Sequence, residues 1–181
     1  GVFPENMVGL DEHLFDTLES EYGLLQYELS GNFDRLLVLN YPAILEINLP
    51  DAKGTKYLAL TSVNNGRGSF GSIDNMEMPL NMIDPLWTKK AIIFWNDFET
   101  LPGRFEKGYE GKEAIWLQKN LRLLGFFQGR EAPVYGPKTV RAVQQFQREN
   151  KIIDDGRFHT ESKMMLYNLL DIYPTPSLIE K

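Results

Sequence analysis

Few residue types in this chain could do covalent chemistry. None of the 181 residues is cysteine, which excludes disulfides, thiolate metal sites and any cysteine nucleophile, including that of a cysteine-type transpeptidase. The two histidines, His13 and His159, stand far apart in sequence and do not suggest a histidine-rich zinc site. No metal and no cofactor is expected, although carboxylates could hold a hard cation without leaving a pattern. The 25 acidic residues leave one catalytic option, a carboxylate pair acting as general acid and base on a glycan. A solvated acidic surface accounts for the same count without chemistry. Gly66-Arg67-Gly68-Ser69-Phe70-Gly71 matches GxGxxG, but Asp74-Asn75 and Pro79 interrupt the helix that a dinucleotide site would need. A flexible hairpin loop is expected there. No GxxxxGK[ST] occurs, so P-loop nucleotide hydrolysis is excluded.

Composition bounds the scaffold that must position these groups. At 43% apolar, 12% aromatic and 24% charged, the chain is globular, with length for one large domain or two small ones. Its apolar runs are pentads such as Ala91-Ile92-Ile93-Phe94-Trp95, far short of the ~18 residues that span a bilayer. No charged-then-apolar leader is visible, so any targeting sequence is expected outside this stretch. Residues 1–103 hold 6 basic and 15 acidic residues, a net of −9, whereas 104–181 hold 13 and 10, a net of +3. That asymmetry suggests two modules with different partners. No Lys/Arg stripe with interleaved aromatics is present, which argues against nucleic acid.

The seam is expected over Asn96–Gly111, where three glycines, a proline and alternating charge mark a linker or long loop. Before it, Leu10, Leu14, Phe15 and Leu18 recur at helical spacing up to Gly23. Asn32 suits the N-cap of a short helix with Leu36 and Leu37 inward. Ala43–Leu49, Tyr57–Val63 and Ala91–Trp95 read as strands, the first two central in an antiparallel sheet and joined by a turn at Asp51-Ala52-Lys53-Gly54. Past the seam the period changes. Ala114, Ile115, Leu117, Leu121 and Leu124 share one helical face up to Gly125. A second helix opens near Pro137 with Val140, Val143 and Phe146 inward, and a third near Thr160 with Met164, Met165, Leu166 and Leu169 inward. The tail Tyr173–Lys181 reads as a loose end. The class is α+β, with an antiparallel-sheet domain over 1–103 and a small three-helix domain over 104–181.

Within the helical part the landmarks run Gly108-x-x-Gly111, then Ile115-x-Leu117-Gln118-x-x-Leu121-x-x-Leu124-Gly125. They continue as Tyr135-Gly136-Pro137-x-Thr139-x-x-Ala142-Val143-x-x-Phe146-Gln147, then Asp155-Gly156, Thr160 and Leu166. This resembles the three-helix peptidoglycan-binding domain of many bacterial cell-wall enzymes. Phe158-His159 stands where that family usually has Gly-Pro. The resemblance implies peptidoglycan as ligand. Gly136 and Gly156 permit tight turns that bring the loops before two helices together, and free N–H groups at helix starts can hold a carboxylate. A groove with Tyr135, Arg141, Gln144, Gln145, Asp155 and Gly156 is expected to take stem peptides, which carry carboxylates and amides. Gln118, Thr139 and Gln147 suit caps and core-edge hydrogen bonds, while Arg141 and Gln145 suit either groove contact or a solvated helix face.

The front part carries its own landmarks: Tyr22-Gly23-Leu24, Leu39-Asn40-Tyr41-Pro42-Ala43-Ile44-Leu45-Glu46, Lys56-Tyr57-Leu58-Ala59-Leu60-Thr61, Pro85-Leu86-Trp87 and Ile93-Phe94-Trp95. Followed by the helical domain, this order resembles the periplasmic region of general secretion pathway protein A, the ExeA family of type II secretion. The front domain of that family is similar to bacteriocin-leader peptidases, which are papain-like. Such an enzyme needs a thiolate and an activating histidine. Here the thiol is absent, and Lys56 stands where the resemblance puts the histidine, so a degenerate, non-catalytic domain is expected. The resemblance further implies general secretion pathway protein B as partner, a role in placing the secretin through the cell wall, and a periplasmic location. No membrane contact is expected within this stretch; full-length relatives carry an ATPase and a membrane anchor ahead of it. The rival expectation is a wall-targeted hydrolase built on a carboxylate pair.

Overall fold

The computed structural model describes residues 17–18, 20–50, 54–71 and 76–179. His13 and the helix expected at Leu10, Leu14 and Phe15 lie outside these, as do Asp51, Ala52 and Lys53 of the expected turn. The chain forms two compact units. One holds the described residues up to Asn96 together with those from Asp171 onward, and the other is Asp97–Leu170.

The first unit is a six-stranded antiparallel sheet with strands β1 (Leu25–Ser30), β2 (Ala43–Ile47), β3 (Lys56–Asn64), β4 (Arg67–Gly71), β5 (Met76–Pro79) and β6 (Trp87–Trp95), in the order β1-β6-β2-β3-β4-β5. β2 and β3 lie inside the sheet, as their apolar character requires. Alternation sends Ala43, Leu45 and Ile47 of β2, Leu58 and Leu60 of β3, and Ala91, Ile93 and Trp95 of β6 into the core. A register shift between Leu60 and Ser62 changes the phase, so Val63 rather than Ser62 is buried next.

Helix α1 (Phe33–Leu39) starts at Asn32, whose side chain accepts the Arg35 N–H at 3.1 Å, and ends at Asn40 with φ 58°. It buries Phe33, Leu36 and Leu39, and the Phe33 ring lies 4.6 Å from that of Trp87. Leu37, expected inward, is half-buried. A single turn, α2 (Leu80–Ile83), precedes β6.

The GxGxxG stretch is not a flexible loop. Asn65 (φ 48°) and Gly66 (φ 74°) form a two-residue hairpin turn, and Arg67–Gly71 is β4 itself. Gly68 is there for packing, since a Cβ would sit 2.7 Å from Leu60 Cδ1 and 3.0 Å from Leu80 Cδ2. The tail also differs from the loose end expected. Leu178 is fully buried, its N–H donates to Asn40 O at 3.1 Å, and its carbonyl accepts the Val63 N–H at 2.6 Å. This tail closes onto the sheet unit by non-local backbone pairing, which has no sequence periodicity.

The second unit has three helices, α3 (Lys112–Leu123), α4 (Pro137–Glu149) and α5 (Thr160–Leu169). Ala114, Leu117 and Leu121 of α3, Ala142, Val143 and Phe146 of α4, and Met164, Met165 and Leu166 of α5 are buried. Ile115, Leu124 and Val140, expected inward, sit half-buried at the margin. Leu169 is 42% exposed while Leu170, one turn from Leu166, takes the core position at 3%. The residues expected as a linker contain no helix or strand of their own, yet they are built into this unit. Leu101 and Phe105 are buried, and the Phe105 ring meets Tyr109, Tyr135 and Phe158 edge-on.

Candidate functional site

The helical unit is organised by two buried glutamines. Gln147 on α4 accepts the Gly156 N–H through Oε1 at 2.9 Å and donates to Arg157 O at 2.6 Å and Ser162 Oγ at 3.0 Å. Gln118 on α3 accepts the Ala132 N–H at 2.8 Å and donates to Val134 O at 2.9 Å and Thr139 Oγ1 at 3.0 Å. Each carboxamide fixes the loop ahead of a helix, α5 and α4 respectively, which is the structural role expected of these residues.

The loops before α4 and α5 come together, as Gly136 and Gly156 were expected to permit. Tyr135 Oη donates to Gly156 O at 2.9 Å. Burial, and then the negative charges of Asp155 and Glu106, raise the Tyr135 hydroxyl well above the ordinary tyrosine range, so it stays a donor. The closure differs from the expected open groove. Tyr135 is 0% exposed and Gly156 is buried, so neither offers a surface to a ligand. A Cβ at Gly156 (φ 76°) would stand 2.9 Å from Val140 Cγ1 and 3.0 Å from Gln144 Cγ, so this turn is pressed onto α4. Three N–H groups ahead of α5 are also spent: Gly156 on Gln147, Arg157 on Asp155 Oδ1 at 2.9 Å, Phe158 on Phe105 O at 2.8 Å. Phe158, which departs from the glycine usual in the domain the sequence resembles, is fully buried against Phe105 and Phe146.

Among the described residues, the concavities on this unit include two that stand open. One, of about 400 Å³, is lined by Arg104, Glu106, Asp155, Arg157 and His159 among others. Its charges are paired. Glu106 holds both Arg104 and Arg157, and Asp155 Oδ1 lies 3.7 Å from His159 Nε2. The other, of about 430 Å³, lies at the start of α4 and is lined by Gln118, Phe127, Arg130, Pro137, Lys138 and Arg141 among others. Of the expected ligand residues, Arg141 reaches the second concavity and Asp155 the first. Gln145 is exposed one turn beyond Arg141 and bonded to Glu149 at 2.8 Å, and Gln144 is half-buried beside Gly156. No sequence signal joins Arg130 and Lys138 to this concavity, because the loop and the helix start meet only in the fold.

In the sheet unit Lys56 opens β3 half-buried, paired across from Ile47. Glu28 and Glu46 border one concavity on the sheet, where Glu46 accepts from Thr88 Oγ1 at 2.8 Å and faces Lys90 Nζ at 3.7 Å. Among the described residues no group of three His, Asp or Glu side chains could hold a metal ion. No helix among them is long and apolar enough to cross a membrane.

Residues 110–161 match the family model described as a putative peptidoglycan binding domain. This peptidoglycan-binding-type domain covers α3, α4 and the start of α5, the helices whose glutamines set the two loops. No curated protein matches the chain. Among solved structures, a periplasmic domain of the EpsAB fusion protein of the Vibrio vulnificus type II secretion system shares the fold at a TM-score of 0.52 and 15% identity, over 82% of this chain. The match spans 66% of that chain, less than two thirds of its length. The peptidase domain of Streptococcus ComA, a bifunctional ABC transporter, aligns over 49% of this chain and 68% of its own, at 14% identity and a TM-score of 0.38, too low to bear on the fold.

Proposed function

We propose that the chain is a non-catalytic wall-anchoring module. Its peptidoglycan-binding-type domain holds peptidoglycan in the periplasm, and its sheet unit serves as a surface for a partner protein. The observation that carries this reading is the match over residues 110–161, joined to a helical unit that keeps an open concavity beside its two clamped loops. Arg141 and Gln145, one turn apart on the exposed side of α4, and Asp155 at the other concavity are the expected residues left exposed for contact. A role in type II secretion, with general secretion pathway protein B as partner and the secretin as cargo to be placed, is supported by the shared fold with the EpsAB periplasmic domain. The absence of cysteine supports an inert sheet unit, with Lys56 at the degenerate peptidase position.

Incubation with purified sacculi tests this reading. The protein is expected to sediment with the sacculi and to release no muropeptides. Release would replace anchoring with hydrolysis by a carboxylate pair. Pull-down of the secretion partner with and without the sheet unit tests the second half of the proposal.

A further inference from the structure

The helical unit contains six arginines, and four are ion-paired: Arg104 and Arg157 with Glu106, Arg122 with Glu131, and Arg148 with Asp154. Arg130 and Arg141 have no acidic partner among the described residues, and both line the concavity at the start of α4. Lys138 is the third cation there, also without an acidic partner among them. Its side chain crosses the loop that carries Arg130, with Cδ 3.5 Å and Nζ 3.7 Å from where a Cβ on Gly129 would stand. The loop's own acid, Glu131, is taken by Arg122, which also donates to Gly129 O. No Asp or Glu lines the concavity.

Uncompensated like charges gathered at one site raise each other's energy, and an anion among them relieves it. The surroundings favour such an anion. Gln118 pins the wall through Ala132, Val134 and Thr139, so the site is set before a ligand arrives. Buried Phe127 and the Pro137 ring give it apolar walls that strengthen charge-assisted hydrogen bonds.

We propose that this concavity binds carboxylate, and that Arg130, Lys138 and Arg141 grip the ionised stem peptide of peptidoglycan rather than its glycan strand. The inference rests on the wall-binding reading above and deepens it. The sugars of the strand offer hydroxyls and acetamides, which give three cations nothing to neutralise. The stem peptide offers carboxylates, which a guanidinium holds in a two-pronged bond.

The test uses the whole chain and purified sacculi, with two soluble competitors: a free stem tetrapeptide and the same peptide with its carboxylates amidated. The acid form is expected to displace the protein and the amidated form is not. Arg130→Gln with Arg141→Gln, at exposed positions, is expected to weaken sedimentation by about tenfold or more with an unchanged thermal unfolding curve. Equal competition by both peptides, or full-strength binding by the folded double variant, overturns the carboxylate site and leaves wall binding standing. Failure of the unaltered chain to sediment overturns the wall-binding reading and this inference with it. The competition arm needs no variant, so it decides even where the substitutions impair folding.

Discussion

Lys163 Nζ on α5 lies 2.9 Å from Asp97 Oδ2, and their side chains are only 8% and 11% exposed. The same ammonium donates to Leu101 O at 2.9 Å, while Asp97 also accepts from Tyr167 Oη at 2.6 Å and the Leu101 N–H at 3.1 Å. The pair thus ties the segment entering the helical unit to its last helix. Lys163→Met leaves the Asp97 charge buried without its cation and is expected to cost ~3–5 kcal/mol. Chemical denaturation measures this, and an unchanged midpoint would show that the bridge is absent in solution.

The turn at Gly156 gives a second prediction. Gly156→Ala forces a left-handed backbone and a clash with Val140 and Gln144, and should cost at least ~1–2 kcal/mol. Tyr135→Phe strands the Gly156 carbonyl, a loss of ~1–3 kcal/mol. Both should reduce the midpoint of denaturation. If Tyr135→Phe instead abolishes sacculus binding at unchanged stability, the residue is a ligand contact after all.

Surface and core positions of α4 should separate cleanly. Arg141→Ala and Gln145→Ala should weaken sacculus binding with little change in melting temperature, since both side chains are exposed. Phe146→Ala, at a site with 0% exposure, should destabilise by ~3–5 kcal/mol. Thermal unfolding and sedimentation, run on the same three variants, check both halves.

A pH effect is expected at the start of α3. Tyr109 Oη donates to Glu113 Oε2 at 2.6 Å, which holds the Glu113 carboxyl below its ordinary 4.5 and, together with burial and the Glu113 charge, raises Tyr109 above 10.0. The Glu113 contribution is therefore present above the unfolded carboxyl's pKa and fades as pH falls through the lower folded value. That of Tyr109 is present below the unfolded phenol's value and fades as pH rises through the higher folded one. Tyr109→Phe should return Glu113 upward toward 4.5, read by NMR titration. A Glu113 that does not move would refute the bond.

The tail is testable by truncation of a single side chain. Leu178→Ala, at 0% exposure, should cost ~2–5 kcal/mol in the unfolding of the sheet unit. A tail that only frays at the surface would show no change.

Local signals made the helices legible. Pro137 at the first turn, Gly125 after α3 and the apolar spacing of α3 and α4 all act within a few residues, and the elements formed where those signals stand. Strands β1, β4 and β5 escaped notice for physical reasons. β1 (LQYELS) alternates weakly at the sheet edge, β5 is four residues long, and β4 carries glycines that read as a loop. Asn65-Gly66 was the available hairpin signal, and Gly68 is small because Leu60 and Leu80 fill the space. For the proposed site, the exposure of Arg141 could be read from its helix face. Tyr135 misled because a tyrosine can pack inward and still use its hydroxyl, and nothing local says which. Arg130 and Lys138 stand out only because their neighbours' acids are already taken, a property of the fold.

The chain leaves the sheet unit after Asn96 and rejoins it at Asp171. Only the first crossing is a covalent link to the strands, because the second leads to a tail clasped by the packing of Leu178 and its two backbone hydrogen bonds. A proteolytic nick just after Asn96 would leave that non-covalent clasp as the one tether between the units, whereas a nick near Asp171 would loosen the clasp and spare the covalent link.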